Sequence, residues 1–150
     1  MNLHTFFDAM TLMYRVTTRL AAQFHTPADM AKIRARQAEF AKAVSAQDAL
    51  SMIATNREFH AEIARAGRNP YYESLCLRLL DEGRRLLRMY YQSFDDQLPS
   101  EYVQEHEDLI AAIEARDIGL ADSLAATHAD QIVRQIQALI SRDRRQHIEL

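Results

Sequence analysis

Three histidines and one asparagine stand where this sequence could do metal chemistry. His60 lies ten residues after Leu50 and three before Ile63. His106 comes three before Leu109 and four before Ile110, and His128 lies four after Leu124 and four before Ile132. Each imidazole therefore falls in the apolar stripe of a helical segment. Asn56 precedes His60 by four residues and follows Ile53 by three, so the amide and the imidazole share one inward helix face. Buried polar groups need partners, and four unrelated ones would make a poor core. If they converge, they offer three imidazole nitrogens and an amide oxygen, a donor set for zinc, nickel, copper or iron. All four groups are neutral, so a divalent ion among them keeps its full charge and draws in an anion, of which a carboxylate is the obvious biological kind. The plainer alternative is three separate hydrogen-bonded core histidines. His4, His25 and His147 sit near helix or chain ends and are expected at the surface.

Helices must position these groups. Gly and Pro number three each, and the chain is rich in strong helix formers. The spacing predicts six helices. The first runs from about Leu3 to Phe24, with Leu3, Phe6, Phe7, Met10, Met13, Tyr14, Leu20 and Phe24 on one face. Thr26-Pro27-Ala28-Asp29 opens the second, as an N-cap, a first-turn proline and an acidic third residue. Its stripe is Met30, Ile33, Phe40 and Val44. After a turn at Ser45 to Asp48, a third helix carries Leu50, Ile53, Phe59 and Ile63. Gly67 is expected as a left-handed C-cap, and Asn69-Pro70 restarts the chain. A long fourth helix is expected from Pro70 to Gln92, with Tyr71, Leu75, Leu79, Leu86 and Tyr90 on its apolar side. Gly83 in its middle marks a close helix contact, room for a ligand or a tolerated surface position. Ser93 to Ser100 is a loop. The fifth helix spans about Glu101 to Ala115, and the sixth starts near an Asp117 cap and runs to about Arg142. The expected fold is all-α, a single antiparallel bundle, since short connections favour antiparallel neighbours.

With 150 residues and a net charge of −3, the chain suits one domain over 1–150 and shows no basic stripe of a freestanding nucleic-acid binder. The basic runs Arg84-Arg85-Leu86-Leu87-Arg88 and Arg142-Asp143-Arg144-Arg145 are short. Cys76 is the only cysteine and suits a reducing compartment. With no long apolar run and no signal-like start, the expectation is a cytoplasmic protein.

The segment Asn56-Arg57-Glu58-Phe59-His60 resembles the D/N-x-x-F-H signature of FCD domains, the FadR C-terminal type of effector domain in GntR-family transcription regulators. Ala66-Gly67-Arg68-Asn69-Pro70 is similar to that family's A-G-N-P junction with one extra residue. Glu105-His106 with Ile110, Ala112 and Ile113 resembles E-H-x-x-I-x-x-A-I, and Arg116-Asp117 with Ala121 resembles R-D-x-x-x-A. His128 stands where the family has its last metal ligand. The resemblance implies a helical bundle that senses small metabolites, often carboxylic acids, beside a bound divalent metal, zinc or nickel being expected. It implies Asn56, His60, His106 and His128 as the metal ligands, a homodimer, and DNA binding only through a winged-helix domain that this chain does not contain. The chain is accordingly expected to be an excised C-terminal domain or a truncated product. Where the family carries an Arg and a Glu near its pocket, this sequence has Met10 and Tyr14, which points to a different or more apolar effector.

Arg84, Arg85 or Arg88 could grip an effector carboxylate, as guanidinium does in bidentate fashion, or could lie on a solvated helix face. Arg84, Arg88, Tyr14 and Met10 are the candidate effector residues. Tyr14, Tyr90, Tyr91 and the methionines also suit core packing, and Cys76 suits a small buried hydrophobe. A metal-dependent hydrolase is the alternative, since a metal can activate water. It lacks an evident general base, because Glu58, Glu105 and Glu107 are offset by about 100° to 200° around the helix from the nearby histidine. A structural dimerisation module with unrelated histidines is the third reading. No catalytic residue is expected.

Overall fold

The computed structural model describes the backbone of residues 2–148 and the side chains of residues 2–144, so the side chain of His147 lies outside the described residues. Seven helices follow one another with no strand among the described residues. They are α1 (Leu3–Phe24), α2 (Pro27–Ser45), α3 (Ala49–Ala66), α4 (Pro70–Glu82), α5 (Arg84–Gln92), α6 (Ser100–Glu114) and α7 (Ile118–Ile148).

The helix starts follow their caps. Thr26 and Asp29 form a reciprocal capping box, with the Asp29 amide on Thr26 Oγ1 at 3.2 Å and the Thr26 amide on Asp29 Oδ2 at 2.8 Å. Asn69 Oδ1 accepts from the amides of Tyr71 and Tyr72, and Asp117 Oδ1 accepts from the Leu120 amide at 3.1 Å. One expected helix is instead two. Gly83 ends α4 and begins α5 at φ −85° and ψ 3°, and it is buried. A Cβ there would stand 2.8 Å from the Phe6 ring, so close approach to α1 is why glycine is used. Gly67 is also a correction. Its φ is −76°, not left-handed, and the left-handed residue is Arg68 at φ 60°. A Cβ on Gly67 would meet Leu20 Cβ at 2.8 Å, so this glycine too serves packing.

Two residues join α1 to α2, yet these helices do not pack on each other among the described residues. His25 and Thr26 are extended, so α2 departs from the end of α1 and packs on α3 and α6 instead. α1 lies against α3, α4, α6 and α7, which makes it the central helix. Its last turn is held by Arg116 from the α6–α7 junction, whose guanidinium donates to the carbonyls of Ala22, Gln23 and His25. Arg15 and Arg19 pair with Asp122 and tie α1 to α7.

The core is built from the expected stripes, with Phe6, Met10, Phe40, Phe59, Leu109, Ile110 and Ile132 all buried. Phe24, Leu50, Tyr71 and Leu75, assigned to stripes by spacing, are exposed. Three of these, Phe24, Leu50 and Tyr71, sit within two residues of a helix end. Tyr90, Tyr91 and Cys76 are buried as core residues.

Candidate metal centre

The three helices that carry the histidines bring them together. The ring centroids of His60 and His106 are 5.3 Å apart, those of His60 and His128 5.6 Å, and those of His106 and His128 5.2 Å. One nitrogen from each ring lies within 4.8 Å of the others. All three rings are buried, as is Asn56. Phe59 stacks on His106 at 4.1 Å, and Phe40 covers the same imidazole at 4.7 Å. Tyr14 of α1 stacks on His60 at 4.4 Å and lies 5.8 Å from His128. The cluster therefore has an aromatic wall and is buried from solvent.

Two partners fix which ring nitrogens are free. Gln37 on α2 donates its amide to the Val103 carbonyl at 3.3 Å, which turns its Oε1 to His106 Nδ1 at 2.7 Å. Nδ1 must then carry the proton, leaving Nε2 with a lone pair. His128 Nδ1 bonds to Glu105 Oε1 at 2.7 Å and is fixed the same way. Metal-ligating histidines are commonly oriented by such partners on the other ring nitrogen. Gln37 was legible as a polar residue inside the stripe of α2, between Ile33 and Phe40. Glu105 was legible beside His106 in sequence, but its partner, His128 on the next helix, was not.

Among the described residues, four buried side-chain polar atoms lack a hydrogen-bond partner: Tyr14 Oη, Asn56 Nδ2, His60 Nε2 and His128 Nε2. All four residues belong to this one cluster. A buried polar group without a partner costs roughly 1–3 kcal/mol, so a dry cluster of four is costly unless something shared satisfies them. Turning the Asn56 amide over presents its oxygen, since the two ends have the same shape. Burial, and after it the nearby His128, holds the His60 imidazole well below its ordinary range, and the same causes with His60 added hold His106 there. Both rings therefore stay neutral near pH 7, the form that binds metal. By donor type, burial and orphaned atoms, the residues fit a divalent cation.

The remaining candidates are placed differently. His4 is exposed beside Asp8. His25, expected at the surface, is buried with Nδ1 2.8 Å from the Ala21 carbonyl, because the turn into α2 folds it back on α1. Arg84 and Arg85 are exposed, and Arg88 pairs with Asp96 at 3.0 Å. Met10 and Tyr14 are buried and border a cavity of about 10 Å³ together with Phe6, Leu86, Ile132 and Ile136. Neither Arg84 nor Arg88 borders it. Burial holds the Tyr14 phenol well above the usual tyrosine range, with Cys76 adding to the shift; the neighbouring Asn56 amide tempers it but is too poorly placed to complete a hydrogen bond to the hydroxyl.

The profile of the FCD domain matches residues 6–131. The solved structure of E. coli McbR/YncC superposes with a TM-score of 0.82 at 19% identity, covering 91% of this chain and 68% of that one. No curated protein sequence matches.

Proposed function

Because the chain belongs to the FCD domain family, we propose that it is the effector-sensing regulatory domain of a GntR-type transcription regulator, holding a divalent metal through Asn56, His60, His106 and His128. The observation that carries this reading is the convergence of three buried imidazoles within 4.8 Å, two of them oriented by Gln37 and Glu105. When bound, the ion supplies a cationic centre that retains its charge among neutral donors. Asn56 and His60 offer adjacent turns of α3, while His106 and His128 bring in α6 and α7. Occupation of the site would tie three helices together, and a small carboxylate is the class of effector that the charge suits.

A ligand shifts a conformational equilibrium only by binding one state better than the other. Here the domain would change the spacing of two DNA-binding domains across a homodimer, each supplied by a winged helix outside these residues. Zinc and nickel suit the imidazole-rich donor set. The whole of 1–150 acts as one regulatory unit in this reading, and the cytoplasm suits a DNA-directed function and a single buried thiol. No helix among the described residues is long and apolar enough to cross a membrane. Glu105, which is hydrogen-bonded to His128, is engaged in orienting that ring, and this favours a sensing role over that of a free general base.

Metal analysis of tag-free protein tests the proposal. A stoichiometric divalent ion is expected, and His106→Ala should lose it while keeping its helical content. An ion-free protein whose thermal stability is unmoved by zinc or nickel would leave only a structural dimerisation module.

A further inference from the structure

Tyr14 is the one orphaned polar group of the cluster that the four-ligand reading leaves unused. Its hydroxyl is buried without a hydrogen-bond partner, in company with the free atoms of Asn56, His60 and His128. Its ring lies nearly parallel to that of His60, at 15°, and also flanks His128. It therefore covers the α1 side of the cluster, while Phe40 and Phe59 cover His106. The cavity that Tyr14 borders has a volume of about 10 Å³ and an otherwise apolar wall. Such a space holds one water molecule at most. None of Asn56, His60, His106 or His128 borders this space, whereas Tyr14 borders it and also stacks on His60, so the ring separates the cavity from the cluster.

We propose that Tyr14 is an internal competitor of the carboxylate effector: its phenol closes the α1 side of the cluster, and the effector binds only when this side chain moves. The inference rests on the metal reading given above and adds a regulatory part to it. Displacing the ring acts on α1 beside two threonines bonded back to the helix backbone. Thr17 and Thr18 turn their hydroxyls back to the carbonyls of Met13 and Tyr14, both at 2.6 Å, a contact that tends to bend helices. α1 touches α3, α4, α6 and α7, so a shift there reaches most of the bundle.

The test uses the full chain, Co(II) as the metal and acetate as the probe ligand, with the visible spectrum of bound cobalt as the readout. Tyr14→Leu keeps an apolar, helix-favouring side chain and vacates the space of the phenol. Tyr14→Phe keeps the ring and removes only the hydroxyl. Tyr14→Leu should bind acetate roughly tenfold tighter than wild type, or better, while binding cobalt more weakly. Tyr14→Phe should bind cobalt more weakly with little gain for acetate. A merely structural role would weaken both ligands together. Equal or weaker acetate binding by a cobalt-loaded Tyr14→Leu protein overturns the competitor role alone. Failure of the wild-type chain to take up cobalt overturns both this inference and the metal reading.

Discussion

Replacing Glu105 by Gln removes a charge from the cluster without removing a ligand. The Glu105 carboxylate accepts from His128 Nδ1 at 2.7 Å and is about a quarter exposed, so Gln fits in its place and can still accept through its amide oxygen. What is lost is the negative partner that fixes the tautomer and orients Nε2. Changes to such orienting groups cost about 10–100-fold in metal affinity. At a free metal concentration near one hundred times the wild-type Kd, binding stabilises the folded chain by about 2.7 kcal/mol. For about 150 residues this corresponds to a rise in Tm of about 5–11 °C. The same concentration is only about 1–10 times the Kd of the variant. Its stabilisation falls to about 0.4–1.4 kcal/mol, a rise of about 1–6 °C. The assay is thermal unfolding followed by far-ultraviolet circular dichroism, with and without zinc, on both proteins. Metal-free Tm values should nearly coincide. A variant that retains the full zinc-induced rise refutes the role assigned to Glu105, and a wild-type chain without any rise refutes the metal site.

Two further expectations concern the fold. Without metal, His60 and His106 stay neutral when folded but take up protons near pH 6.5 when unfolded. Below that pH the unfolded state binds more protons, so stability is complete above about pH 6.5 and falls as the pH drops, by up to about 2.7 kcal/mol per unit for the two groups. Urea midpoints of the metal-free protein between about pH 7 and pH 5 measure this, and a flat profile would show that the rings are protonated in place. The glycines should respond in opposite senses. Gly67→Ala pushes a Cβ to 2.8 Å from Leu20 Cβ and should destabilise by about 1–3 kcal/mol, whereas Gly119→Ala meets only Asp117 Oδ1 at 4.0 Å in the first turn of α7 and should gain about 0.5–1 kcal/mol. Chemical denaturation of the two variants decides both signs.

The sequence by itself determined the all-helical class, several helix starts and the inward direction of the key side chains. Capping at Thr26, Asn69 and Asp117 is local chemistry, legible within four residues. The 3–4 spacing around Asn56, His60, His106 and His128 likewise sets each on the buried face of its own helix, because side-chain direction follows from helix geometry alone. Tertiary structure decided everything that depends on a neighbour distant in sequence. Position 83 admits only glycine because the Phe6 ring occupies the space of a side chain, and α1 and α2 part despite a two-residue link because the extended His25 and Thr26 carry α2 onto α3 and α6. Glu105 orients His128 across 23 residues, and Gln37 orients His106 across 69. Tyr14 reads as core from its spacing and becomes the cover of the cluster only because α1 crosses it. Periodicity shows which way a side chain faces, whereas what it meets there depends on how the helices pack.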